Sequence, residues 1–103
     1  MRVVLSTCPP DQSERIARGL LSHGAACVNI VGPVRSLYTW QGEVCDDAES
    51  LLVIKAGADR VIALEQALAE LHPYELPEWV VLDVDASLTS RAYRLWVQAG
   101  GLG

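Results

Sequence analysis

Two helical stripes, each set between apolar extended runs, constrain this chain more than any other feature. Ile16, Ala17, Leu20 and Leu21 recur at i, i+4 spacing. They follow Asp11 and Glu14, whose separation matches a capping box, and Gly24 stands where a left-handed C-cap closes a helix. Val61, Leu64, Leu68 and Leu71 repeat the pattern at 3.6-residue spacing, with Asp59 as the expected cap and Pro73 as the stop. Glu14 and Arg18 are spaced to pair on the exposed side of the first helix.

The runs around these helices read as strands. Val3-Val4-Leu5-Ser6-Thr7 ends at Pro9-Pro10. Ala25 to Trp40 is one long extended segment bent at Gly32-Pro33, and its second half alternates so that Tyr38 and Trp40 share a face. Gln41-Gly42 turns the chain, Asp46-Asp47 lies near the start of the returning strand, and Leu51-Leu52-Val53-Ile54 is a continuous apolar run suited to a central strand. Trp79 to Val84 is the fourth strand. A last helix begins near Ser90, carries Tyr93, Trp96 and Val97 on one side, and ends at Gly100-Gly101.

The order βαββαβ plus a terminal helix predicts an α/β (α+β) ferredoxin-like sandwich, with right-handed crossovers and both helices on one face of an antiparallel sheet. All 103 residues read as a single domain, because halves of that length would not bury a stable core. The uncovered sheet face is apolar, which predicts self-association. With six aromatic residues and no Phe, aliphatic side chains must build most of the core.

Charge narrows the partners. A net charge of −5, a pI near 4.8 and eight basic residues without a basic run exclude counterion-releasing contact with nucleic acid or an anionic membrane surface. No apolar stretch reaches spanning length. Cys8, Cys27 and Cys45 are odd in number and lack CxxC spacing, so a disulfide framework is not expected and a reducing compartment is. Met1-Arg2 leads straight into the first strand, too short for a signal h-region, and the expected location is the cytoplasm.

Two stretches concentrate chemistry. His72-Pro73-Tyr74-Glu75-Leu76-Pro77-Glu78 sets a His, a Tyr and two carboxylates on a loop stiffened by prolines. Its plainer reading has His72 capping the second helix and the prolines shaping the path into the fourth strand. Asn29, Arg35, Tyr38 and Trp40 on the long strand need polar partners or an interface, and are candidates to line a cleft between subunits. Lys55 is the only lysine and ends a buried strand. With His72, Tyr74, Glu75 and Glu78 it offers an acid–base cluster, the basis of an alternative enzymatic reading; no nucleophile motif or phosphate loop supports a named reaction. A structural trimer that holds a partner protein is the third class. Cys27 is expected in the core and Cys45 near the surface.

The motifs Ala25-Ala26-Cys27-Val28-Asn29-Ile30, Ser36-Leu37-Tyr38-Thr39-Trp40-Gln41-Gly42, Leu71-His72-Pro73-Tyr74-Glu75-Leu76-Pro77-Glu78 and Tyr93-Arg94-Leu95-Trp96, in that order and spanning Val3 to Val97, resemble the CutA family of divalent-cation-tolerance proteins. The resemblance implies a PII-like homotrimer formed by strand pairing between subunits, and a link to tolerance of copper and other divalent cations. Some relatives place a Cys at the end of the first strand and two His before Pro-Tyr; here those positions are Ser6, Leu71 and His72. Cys8 lies two residues past Ser6, about 6–7 Å further along the same side of an extended strand. With His72 it forms a candidate thiolate–imidazole pair for copper. A small ligand in the cleft is the other expectation.

Overall fold

The structure is a computed structural model and describes residues 1–102. Four strands, β1 (Arg2–Cys8), β2 (Cys27–Trp40), β3 (Glu43–Ala56) and β4 (Val80–Asp83), form one sheet in the order β2-β3-β1-β4. Every neighbouring pair is antiparallel. Helices α1 (Ser13–Ser22) and α2 (Val61–Leu71) cross between strands, and α3 (Arg91–Gln98) follows β4. The ferredoxin-like topology expected from the strand and helix order is the one observed.

The core lies between the sheet and the first two helices. Val4, Ser6 and Cys8 of β1 and Leu52, Ile54 and Ala56 of β3 point to the helices and are fully buried, as are Ile16 and Leu20 of α1 and Leu64 of α2. Leu21, expected on the buried stripe, is 46% exposed. The stripe is therefore only as wide as its contact with α2 and the sheet.

Caps depart from the sequence reading in two places. Pro10–Gln12 forms a single 3-10 turn, so α1 starts at Ser13 and neither Asp11 nor Glu14 caps it; Ser13 Oγ instead donates to the Pro10 carbonyl at 2.8 Å. Ala58–Arg60 forms a similar turn, and Asp59 makes no capping hydrogen bond. Elsewhere the signals hold. Glu14 and Arg18 pair at 3.1 Å, Gly24 adopts φ +108° after α1, and Ser90 accepts from the Tyr93 amide at the start of α3.

β2 is bent where expected. Gly32 and Pro33 oppose the single residue Ser50, and pairing resumes at Val34–Glu49. Gln41 and Gly42 both have positive φ, as a tight two-residue hairpin turn requires. The returning strand starts at Glu43, three residues before Asp46, because the hairpin pairs to its tip. β1 reaches only as far as Ser50 of β3, so Val34–Glu49 is a two-stranded arm projecting beyond the four-stranded sheet.

Candidate functional site

Where β4 stops, the loop from His72 to Trp79 runs along the free edge of β1. Ser6 Oγ donates to the Glu78 carbonyl at 2.7 Å. His72, the residue closing α2, is 7% exposed, and its Nε2 sits 2.7 Å from the Thr7 carbonyl. Its Nδ1 accepts the Tyr74 amide at 3.1 Å. Since Nδ1 accepts, Nε2 carries the proton given to Thr7, so both ring nitrogens are committed to backbone groups. Thr7 lies two residues past the last β1–β4 pair, so His72 supplies the donor that its carbonyl would otherwise lack.

His72 also places Tyr74. The two rings meet at 4.6 Å between centroids, and the Tyr74 hydroxyl donates to Glu49 Oε2 at 3.0 Å. Glu49 sits at the root of the arm and is 5% exposed. No basic side chain lies within ion-pair distance of it among the described residues. Burial, and then the charge of Glu49, raises the Glu78 carboxyl above its ordinary range. Burial together with the bond to Glu49 pushes the Tyr74 phenol up to about 12.

Glu49, Tyr74 and Glu78 face an open cleft of about 970 Å³ between the loop and the arm, whereas His72, buried behind Tyr74, does not line it. Arg35, Tyr38, Trp40, Tyr74, Glu75 and Glu78, all singled out from sequence, line it together. Arg35 brings no free charge, because it forms two bonds of 2.9 and 2.7 Å to Asp46. Tyr38 donates to Asp47, which raises its phenol further. Asn29 and Lys55 do not reach the cleft. They bond to each other across β2 and β3, and Lys55 lies six residues along β3 from Glu49, about 20 Å away. Lys55 is thus separated from the acid–base cluster in which the sequence placed it.

Cys8 is fully buried in the core, and burial, followed by the charge of Glu49, pushes its thiol up to about 11. A metal held by Cys8 and His72 would have to ionise that thiol and break a ring hydrogen bond. Ser6 and Leu71 are occupied otherwise: Ser6 holds the loop, and the Leu71 carbonyl accepts from Arg15 at 2.6 Å. Among the described residues no three His, Cys, Asp or Glu side chains gather closely enough to hold a metal ion. Cys27, expected in the core, is half-buried beside Asn29 on the sheet face opposite α1 and α2, with Tyr93 of α3 against it. Cys45 is half-buried on the arm.

Glu49, Asp47, Thr7 and Trp79 were not singled out from the sequence. Glu49 shares its strand with Glu43, Asp46 and Asp47, so its residue type alone set it apart from none of them. Its partner Tyr74 is 25 residues away and follows from the fold alone.

The family model of the CutA1 divalent ion tolerance protein matches residues 2–100. The chain belongs to this family. It is 41% identical over 98 residues to the divalent-cation tolerance protein CutA of Thermus thermophilus, covering 93% of each chain. It is 39% identical over 93 residues to a CutA homolog of Xenopus laevis, covering 88% of this chain and 60% of that longer protein. Among solved structures, the PII-like protein CutA from Nostoc sp. PCC 7120 in apo form superposes with a TM-score of 0.92 at 46% identity, over 97% of this chain and 96% of that one. The CutA topology and the motif-bearing strands and loop thus agree by sequence and by shape. No helix is long and apolar enough to cross a membrane among the described residues.

Proposed function

We propose that this CutA-family chain acts in divalent-cation tolerance as a homotrimer, with the cleft beside Glu49 holding a small cation. The observation that carries the cleft reading is Glu49 itself. A carboxylate at 5% exposure, with one phenol as its hydrogen-bond partner and no basic side chain in reach among the described residues, is costly unless a positive charge joins it from outside the chain. Glu78, raised in part by the charge of Glu49, adds to that demand. The family name supports a divalent cation, copper included, as the cargo or signal. As the place where a cation is held, the open carboxylate cleft fits better than Cys8 and His72, because the His72 ring nitrogens are both hydrogen-bonded and the buried Cys8 thiol is held protonated. Three free thiols support a reducing compartment such as the cytoplasm.

The trimer is supported by the arm, since a two-stranded ribbon is at best marginal in water without neighbours. Calorimetric titration with Cu²⁺, Zn²⁺ and Mg²⁺, beside small organic cations, tests the cleft. Saturating ligand should raise the melting temperature by several degrees, and Glu49→Gln should abolish that rise. Persistence of every response in Glu49→Gln would move the site elsewhere. If the response instead disappears in Cys8→Ser, His72→Ala, the buried pair is the metal site. Light scattering should give three chain masses.

A further inference from the structure

We infer that the cation this cleft selects is an organic ammonium compound rather than a bare metal ion. The inference rests on the reading of the cleft as a cation site and specifies its ligand. Glu49 and Glu78 provide the negative charge, but hard divalent ions require about six oxygen ligands in fixed geometry. No third His, Cys, Asp or Glu joins them as a coordinating group among the described residues. Arg35, the one cationic side chain on the wall among the described residues, is paired with Asp46.

The walls supply what an organic cation uses instead. Tyr38, Trp40, Tyr74 and Trp79 line the cleft, four of the six aromatic residues in the chain. Ring faces attract a desolvated ammonium through their quadrupoles, and they offer nothing comparable to a strongly hydrated metal ion. Size points the same way. A metal ion with six waters fills roughly 200 Å³ at about 30 Å³ per water, whereas the cleft holds about 970 Å³. That volume lies at the upper end of small-molecule sites, roughly 300–1,000 Å³. The Thr7 and Ser36 hydroxyls on the same wall can bond a polar tail. The geometry therefore places the ammonium against Glu49 and the aromatic rings, with its substituents along the loop.

The test is calorimetric titration of the full chain, in its native assembly, with choline, ethanolamine and putrescine. The neutral choline isostere 3,3-dimethylbutanol and the ions Mg²⁺, Zn²⁺ and Cu²⁺ run in parallel. At least one amine should bind, with the neutral isostere at least tenfold weaker than choline if choline is the one. Trp40→Leu should weaken amine binding roughly 5- to 30-fold. Glu49→Gln should weaken every cation. Metal binding that Glu49→Gln removes, with no amine binding, overturns this inference and leaves the cation cleft standing. Binding of neither class, as when a neighbouring subunit fills the cleft, overturns both.

Discussion

Tyr74 connects the loop to the arm through one atom, its hydroxyl on Glu49. Tyr74→Phe keeps the ring against His72 and removes the only donor to a buried carboxylate among the described residues, so unfolding in urea should show a loss of about 1–3 kcal/mol. The phenol also sets a pH dependence. Its ionisation is raised from 10.0 to about 12 in the folded chain, so the fold favours the protonated form. That contribution is complete below pH 10 and is lost as pH rises from 10 to 12. Stability should fall across that window, and Tyr74→Phe should flatten part of the fall, the remainder belonging to Cys8, Tyr38 and Tyr93, which are raised as well. Cys8 makes a separate prediction: a fully buried thiol held up to about 11 presents almost no thiolate at neutral pH. Iodoacetamide with mass-spectrometric mapping should modify Cys45 well before Cys8, and Cys8 should react only on unfolding. Early labelling of Cys8 would mean that β1 opens in the native state.

At the level of elements, the close of α1 is fixed by backbone geometry. Gly24 has φ +108°, and a Cβ there would meet Arg60 Nη1 at 2.7 Å. Gly24→Ala should therefore cost about 1–2 kcal/mol from the left-handed conformation alone, read as a lowered melting temperature. Truncating Arg60 as well should recover only the steric part. This C-cap was legible in the sequence because only glycine tolerates the conformation. The start of the same helix was not: Pro9-Pro10 forces a 3-10 turn, which moves the first helical residue past Asp11. Strand order, the β2 bend and the hairpin were legible for similar local reasons, since apolar runs, a proline and a Gly turn each restrict the backbone where they occur. The cleft was half legible. Tyr38, Trp40, Tyr74 and Glu78 carry distinctive side chains in stiff segments, but Glu49 gains its role only when the loop crosses the arm, a contact no periodicity encodes. Lys55 was misplaced because the only lysine, at the end of a buried strand, suggested a partner for the acidic loop, whereas six residues of extended chain hold it away from Glu49.

The whole molecule is longer and barer than its mass requires. It measures 44 × 27 × 22 Å and exposes 6350 Å², against about 5,700 Å² expected for a compact monomer of this size. Much of the excess is apolar and sits on strands. Leu37 is 62% and Val44 79% exposed on the arm, and Val80, Val81 and Leu82 are each more than 40% exposed on the outer strand β4. An edge strand of this kind offers unpaired backbone groups with no lysine or proline to deter pairing, since Asp83, its one charge, is paired with Arg2. Strand addition between copies would satisfy that edge and cover the arm together. Introducing charge on both, as Leu37→Lys with Leu82→Lys, should therefore convert the proposed trimer to monomers by light scattering. It should also lower the melting temperature and remove its dependence on protein concentration, because dissociation then no longer accompanies unfolding. The substitutions leave the core between the sheet and helices untouched, so the monomer should keep its far-ultraviolet dichroism. If the unmodified chain is already monomeric at tens of micromolar, the exposed arm must be stabilised within the single chain, and the hairpin pairing of β2 with β3 would have to suffice alone.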